Sequence, residues 1–376
     1  MTRIKVMTVV GTRPEIIRLS ATIKMLDEHT DHVLVHTGQN YDYELNEVFF
    51  KDLGLRQPDH FLHADTSSLG AALGTILQKT EAVIQQELPD AFVVLGDTNS
   101  CVSAIMAKRL QVPVFHMEAG NRSFDENVPE ETNRRLVDHV SDYNLAYTEH
   151  ARRNLLGEGV HPSRILVTGS PMGEVLAQNR TAIDASGAVG QAGLEPGEYF
   201  LVSLHREENV DNPTRLRMAV DALQALREEY GIPVLVSTHP RTRKRLDALE
   251  DSAKNGLVFH RPFGFHDYVK LQLEARLVLS DSGTISEESS LLGFPAITLR
   301  DFIERPEALD TAAIVTSGLH RTNVLTAVRL VLAQPTAPTV PVDYQVIDTA
   351  RRVVSFITGT SHSHRRRLGL AGAGQA

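Results

Sequence analysis

Two rounds of one pattern run along this chain: a short run of β-branched and apolar residues, then a stretch with helical spacing, repeated about six times before the series starts again. The first round contains Ile4 to Val10, Val33 to His36, Phe92 to Leu95, Val112 to Met117, Tyr143 to Tyr147 and Ile165 to Thr168. The second contains Tyr199 to Leu204, Val234 to Ser237, Leu257 to His260, Arg276 to Leu279, Ala296 to Leu299 and Ala313 to Thr316. Runs this short and this apolar, joined by helices rather than hairpin turns, read as parallel strands covered on both faces. The fold class is therefore α/β.

At 376 residues the chain exceeds one ordinary core, and the polar, Gly/Pro-containing stretch from Asp184 to Gly197 marks where the pattern restarts. The reading is two Rossmann-like domains, 1–172 and 188–345, facing a central cleft. Leu216, Ala219, Val220, Leu223 and Leu226 recur at three- and four-residue intervals before Gly231-Ile232-Pro233, which predicts a core-facing helix. A last helix is expected over 346–360, and 361–376, with Arg365, Arg366 and Arg367 before a Gly/Ala run, reads as a disordered tail.

Composition removes several classes of function. The formal net charge of -9 gives no overall field for nucleic acid or an anionic membrane, so any phosphate must be held locally. Cys101 is the single cysteine, and the 16 histidines show no zinc-type spacing, so no metal is expected and a reducing compartment fits. The first apolar run stops at Val10, too short for a secretory segment, and no stretch has the length of a membrane span. The expected location is cytoplasmic. Neither a G-x-G-x-x-G nor a P-loop pattern occurs, so no nucleotide cofactor is expected.

The polar, non-random segments fall at predicted strand ends, where parallel sheets place ligands. Gly11-Thr12-Arg13-Pro14-Glu15, Gly96-Asp97-Thr98-Asn99-Ser100 and His116 to Arg122 lie in the first half; His205-Arg206-Glu207-Glu208-Asn209, His239-Pro240-Arg241 and Asp281 to Glu288 lie in the second. The turn Asp281-Ser282-Gly283 before Thr284 offers backbone N–H groups and a helix dipole to a diphosphate, with Arg13, Arg206 and His239 adding charge. Asp97, Glu118, Glu130 and Glu131 crowd carboxylates together, the condition for moving protons near neutral pH. Structural roles compete: Thr284 and Glu287 fit a capping box, Asp97 a cap near Thr98, Glu130 a helix dipole, and Arg13 a surface ion pair.

Taken together, Gly-Thr-Arg-Pro-Glu, Gly-Asp-Thr, Glu-Ala-Gly-x-Arg, Pro-Glu-Glu-x-Asn-Arg, Asp-Ser-Gly before a Glu-Glu pair, and Asp301 to Glu307 resemble the non-hydrolysing UDP-N-acetylglucosamine 2-epimerase family, from Gly11 to about Gly318. The resemblance implies a GT-B architecture, a C-terminal helix returning to the first domain, a homodimer and no cofactor. It implies inversion at C2 of a UDP-2-acetamido sugar by loss of UDP to a 2-acetamidoglycal and its re-addition. Asp97, Glu118 and Glu130 would then carry protons and His205 would assist the departing diphosphate. Arg13, Arg206, His239, Ser282, Gly283 and Thr284 would hold UDP, with Glu288 on the ribose.

Where the GlcNAc enzymes show His-Arg-Arg-Glu, this chain has His205-Arg206-Glu207-Glu208; the Glu118–Glu130 loop is shorter, and Gly38 to Leu45 replaces a Gln-His-Arg stretch tied to an activating second substrate site. With Ile16-Ile17-Arg18-Leu19-Ser20, these variants look most like the branch forming UDP-N-acetyl-L-fucosamine from UDP-2-acetamido-2,6-dideoxy-L-talose for surface polysaccharide. The alternatives are UDP-GlcNAc to UDP-ManNAc conversion, UDP-N-acetyl-L-quinovosamine formation, a hydrolysing epimerase and a GT-B glycosyltransferase. A sensor without chemistry would have no use for the strand-end acids.

Overall fold

Seven strands form the first sheet: β1 (Lys5–Val10), β2 (Asp31–His36), β3 (His60–Phe61), β4 (Ala91–Leu95), β5 (Val114–Met117), β6 (Tyr143–Ala146) and β7 (Ile165–Val167). In this computed structural model, which describes residues 3–39, 43–238, 240–246, 256–334 and 339–364, their order is β3-β2-β1-β4-β5-β6-β7, every pair parallel. The short β3 adds a strand to the six expected. Its two residues, pairing His36 with Phe61, are too brief and too polar to register as an apolar run.

The second sheet has the six strands expected: β8 (Phe200–Ser203), β9 (Val234–Ser237), β10 (Leu257–His260), β11 (Leu277–Ser280), β12 (Ala296–Thr298) and β13 (Val315–Thr316), in the order β10-β9-β8-β11-β12-β13. In each sheet the chain order reverses once, between β1 and β4 and between β8 and β11. In open parallel sheets ligands bind outside the carboxyl ends of the strands at such a reversal.

The chain divides into two units, one of residues up to Arg122, Pro129–Ala177 and the described residues from Asp343 on, the other of Ser123–Val128 and Gln178–Val342. Within the first, the helix Thr349–Ser361 buries Val353, Val354 and Ile357 and packs against the helix Arg13–His29. Phe356 meets Tyr143 edge to face, with ring centroids 5.3 Å apart. The tail expected from 361 starts inside this helix: His364, edge-on to Tyr143, is still buried, and 365–376 lie outside the described residues.

Within the second unit, the helix Pro213–Tyr230 is capped by Asn212, whose side chain accepts from the Thr214 and Arg215 amides, and ends at Gly231 with φ 68°. It buries the predicted stripe from Leu216 to Leu226 against β8 and β9. Among the described residues no helix is long and apolar enough to cross a membrane.

Candidate active site

In the first unit the polar groups sit on the ends of β1, β4 and β5. β4 and β5 are neighbours in register, Leu95 beside Met117, so Gly96-Asp97 and Glu118 leave adjacent strands together. Glu118 is buried and adopts φ 64°, a left-handed conformation uncommon outside glycine and a mark of functional sites. Its carboxylate accepts from the Arg18 guanidinium at Oε2 and from Asn121 Nδ2 at 3.2 Å on Oε1.

The turn carrying Glu118 is fixed from beneath. Asp138, wholly buried, accepts from the Gly120 amide at 3.1 Å and lies 2.9 Å from His116 Nδ1 and 2.8 Å from Arg122 Nη1. His116 Nε2 meets the Gly96 carbonyl at 2.8 Å, so the β4 and β5 turns are tied to one carboxylate through one imidazole. Gly120, at φ 84°, admits no side chain, because a Cβ there would lie 2.3 Å from the Ala151 carbonyl oxygen.

The helix Pro129–Val140 supplies Arg134 to the Asp97 carboxylate and Asn133 Nδ2 to the Asp97 carbonyl at 2.9 Å, while Arg134 Nη1 also reaches Glu131 at 2.9 Å. Glu130, in that helix's first turn, is half-buried. Arg13 lies over the Phe49 ring, 5.8 Å from its centroid. Glu15 closes a capping box: its carboxylate accepts from the Gly11 and Thr12 amides at 3.0 and 2.7 Å, from the Thr12 hydroxyl, and from Ser100. Burial outweighs those donors and pushes Glu15 up to about 7.

In the second unit Asp281 organises the turn after β11. It is fully buried and accepts from the His205 amide at 3.1 Å, the Arg206 amide at 3.0 Å and Asn209 Nδ2 at 3.1 Å. His205 Nδ1 is 2.9 Å away, which leaves the exposed ring's Nε2 as its reactive nitrogen. Burial pushes Asp281 up, but the His205 charge beside it and the hydrogen bonds it accepts prevail and bring it down to about 2.

Arg206 donates through Nε to the Asp281 carbonyl at 3.2 Å. Ser282 and Thr284 share a hydroxyl hydrogen bond of 2.9 Å, and Gly283 between them leaves room for the Arg305 Nη1, which would lie 2.7 Å from a Cβ. The capping box expected of Thr284 and Glu287 does not form. Thr284 already has helical backbone angles and shares its hydroxyl with Ser282 rather than capping, and Glu287 turns to Arg305 Nε at 2.9 Å. Glu288 accepts from Gln272 Nε2 at 2.6 Å. His239 lies outside the described residues.

A cavity of about 720 Å³ in this unit is lined by Asn209, Arg215, Arg300 and Asp301 together with Asp125 and Asn127 of the Ser123–Val128 segment. Reading the motifs missed Arg18 and Glu304, and took Asp281 only as part of its own turn rather than as the anchor of the His205 loop. Arg18 had a signal, a cation among the buried positions Ile16, Leu19, Ile23 and Leu26 of one helix.

Residues 24–358 match the family model described as UDP-N-acetylglucosamine 2-epimerase. The chain belongs to this family. The Methanocaldococcus jannaschii UDP-N-acetylglucosamine 2-epimerase is 38% identical over 87% of this chain and 92% of its own length. A crystal structure of the M. jannaschii UDP-GlcNAc 2-epimerase in complex with UDP-GlcNAc and UDP covers 95% of this chain and all of that one, with a TM-score of 0.90 and 36% identity. The structure of UDP-N-acetylglucosamine 2-epimerase from Rickettsia bellii is 43% identical, with a TM-score of 0.91, over 98% of this chain and 100% of its own. A UDP-2,3-diacetamido-2,3-dideoxy-D-glucuronate 2-epimerase of Pseudomonas aeruginosa is 35% identical over 88% of this chain and 93% of its length. As a member of this family the chain is an enzyme, a UDP-sugar 2-epimerase.

Proposed function

We propose that the chain inverts C2 of a UDP-2-acetamido sugar by elimination and re-addition of UDP. One carboxylate takes the C2 proton, the C1–C2 double bond forms, and the C1–O bond breaks with its electron pair leaving on the β-phosphate of UDP. A second carboxylate then protonates C2 from the opposite face while the phosphate oxygen returns to C1. Asp97, Glu118 and Glu130 carry the protons in this reading.

His205, through Nε2, and Arg206 stabilise the charge that develops on the departing diphosphate, where electrostatic help acts most strongly. Arg13, His239, Ser282, Gly283 and Thr284 complete the grip and Glu288 takes the ribose. The observation that carries the reading is Glu118, a buried carboxylate on a left-handed residue, held between Arg18 and Asn121 at the end of β5.

The relatives support UDP-N-acetylglucosamine and UDP-N-acetylmannosamine as the first pair to test, since the M. jannaschii and R. bellii proteins bear that name. The second pair is UDP-2-acetamido-2,6-dideoxy-L-talose and UDP-N-acetyl-L-fucosamine, which the Glu207 substitution and the short Glu118–Glu130 loop support. Each nucleotide sugar is incubated alone in deuterium oxide and followed by proton NMR. Conversion with deuterium entering C2 is the expected result for one pair. Absence of label at C2 with both pairs would overturn the elimination reading.

A further inference from the structure

Arg206 is the guanidinium assigned to the diphosphate, and its orientation is not set by its own loop alone. Nε is used on the Asp281 carbonyl, Nη1 lies 3.5 Å from Glu208 Oε1, and Nη2 lies 3.3 Å from Glu304 Oε1. Glu304 comes from the loop after β12, and its carboxylate is almost wholly buried. Both its oxygens are occupied by the Arg300 fork, with Nη2 donating to Oε1 at 2.7 Å and Nη1 to Oε2.

Neutralising Arg300 requires no more than that bidentate pair, which uses two of the carboxylate's roughly four acceptor positions. The same Oε1 nevertheless reaches a second guanidinium, and the next residue, Arg305, runs beneath Gly283 to Glu287. The Glu304-Arg305 step therefore braces two sides of the turn that would receive the phosphates. The Arg300 pair makes the brace stiff, because a buried fork-on-fork contact fixes the carboxylate plane in a way a single hydrogen bond does not.

We propose that Glu304 is a positioning residue for the nucleotide, acting through Arg206 by holding Nη2 so that the guanidinium plane is set before UDP arrives. The proposal rests on the UDP-sugar reading of this site. Preorganisation of this kind shows up as affinity, since a free side chain must otherwise be ordered on binding.

The test is a double-mutant cycle on UDP binding, measured by titration calorimetry on the full chain with Glu304→Gln, Arg206→Ala and the pair. Glutamine keeps the shape but turns an NH2 toward guanidinium N–H groups, so UDP affinity falls about tenfold in the otherwise unaltered chain and less than twofold in the Arg206→Ala background. An equal loss in both backgrounds would show that Glu304 acts by general stability alone, and tighter UDP binding by Glu304→Gln would show a competing charge; either overturns the proposal.

Glu304→Asp is carried through the same cycle as a second variant. It keeps the charge for Arg300 but is too short to reach Arg206 as well, so a loss that again depends on Arg206 is expected. Thermal melts of every variant identify any that fail to fold. If the unaltered chain bound no UDP, the nucleotide reading itself would fall, a result distinct from an additive cycle.

Discussion

Glu15 and Asp281 do the same job from different places, one in the helix after β1 and the other in the turn after β11, and their acidities shift in opposite directions. Each is fully buried, and each accepts the two consecutive backbone amides that follow the first strand of its sheet: Gly11 and Thr12 after β1, His205 and Arg206 after β8. Glu15 has hydroxyls for its other partners and is raised to about 7; Asp281 has the His205 imidazole at 2.9 Å and is lowered to about 2. At Glu15 burial outweighs the amides and hydroxyls, whereas at Asp281 the His205 imidazole together with the hydrogen bonds outweighs it. Glu15 thus sits among amides and hydroxyls at the end of β1, while Asp281 ties the His205 loop to the turn after β11.

The division of labour proposed for the two units makes its strongest claim on turnover. Glu118→Gln and Asp97→Asn remove the proposed proton carriers from the first unit and leave the second untouched, so kcat should fall by about 10²–10⁴-fold with UDP binding retained. His205→Ala should also lower kcat, by roughly 10²-fold, through lost stabilisation of the leaving diphosphate. Steady-state kinetics with calorimetric UDP titration separates the two. If Glu118→Gln lost UDP binding as completely as activity, the division of labour between the units would be wrong.

The next largest effect is in stability. Glu15 releases its proton near its ordinary value of 4.5 in the unfolded chain and near 7 in the folded one, so between those values the folded chain holds the extra proton. Stability must therefore fall as pH rises through that window, by about 3 kcal/mol at about 1.4 kcal/mol per pH unit. Urea unfolding at pH 5, 6, 7 and 8 measures it. In Glu15→Gln that component of the slope should vanish, and an unchanged slope would assign it elsewhere.

Asp281 gives the opposite sign. Its folded value lies below the ordinary 3.8, so its contribution is complete above that pH and is lost as pH falls toward 2. Asp281→Asn should destabilise the chain at pH 7 by about 2 kcal/mol, since the His205 and Arg206 amides and Asn209 lose a charged acceptor. The deficit should shrink in acid. A difference from the unaltered chain that stayed constant from pH 7 to pH 3 would show that shape rather than charge holds the His205 loop.

These contrasts also mark what sequence could and could not disclose. The strands were legible because parallel strands covered on both faces are uninterrupted apolar runs, and β3 was not because its two residues carry no such run. Asp97, Glu118 and His205 stood out as candidates because they lie at the ends of strands. Arg18 and Glu304 were not read as site residues, since one lies inside a helix and the other within a loop, and only the fold brings them to Glu118 and Arg206. The His116–Asp138–Arg122 group was hidden for the same reason: Asp138 serves a turn 18 residues earlier through pairings that no local spacing records. Asp281 stood in a motif quoted for its phosphate turn, yet its role is to hold another loop.

The smallest effect separates two glycines, Gly11 after β1 and Gly283 after β11. A Cβ on Gly11 would lie 2.3 Å from Thr37 Oγ1, a buried β-branched side chain with little room to move, whereas one on Gly283 would meet the tip of Arg305 at 2.7 Å. A flexible guanidinium tip yields more readily than a β-branched stem, so Gly283→Ala should cost under about 1 kcal/mol in stability and Gly11→Ala about 1–3 kcal/mol. Gly283→Ala should instead weaken UDP binding a few-fold, because Arg305 moves away from Glu287 and a methyl group enters the phosphate turn. Chemical unfolding and UDP titration on both variants give the comparison. A stability loss for Gly283→Ala as large as that for Gly11→Ala would mean that the second unit's turn is as rigid as the first, and that Arg305 is a structural strut.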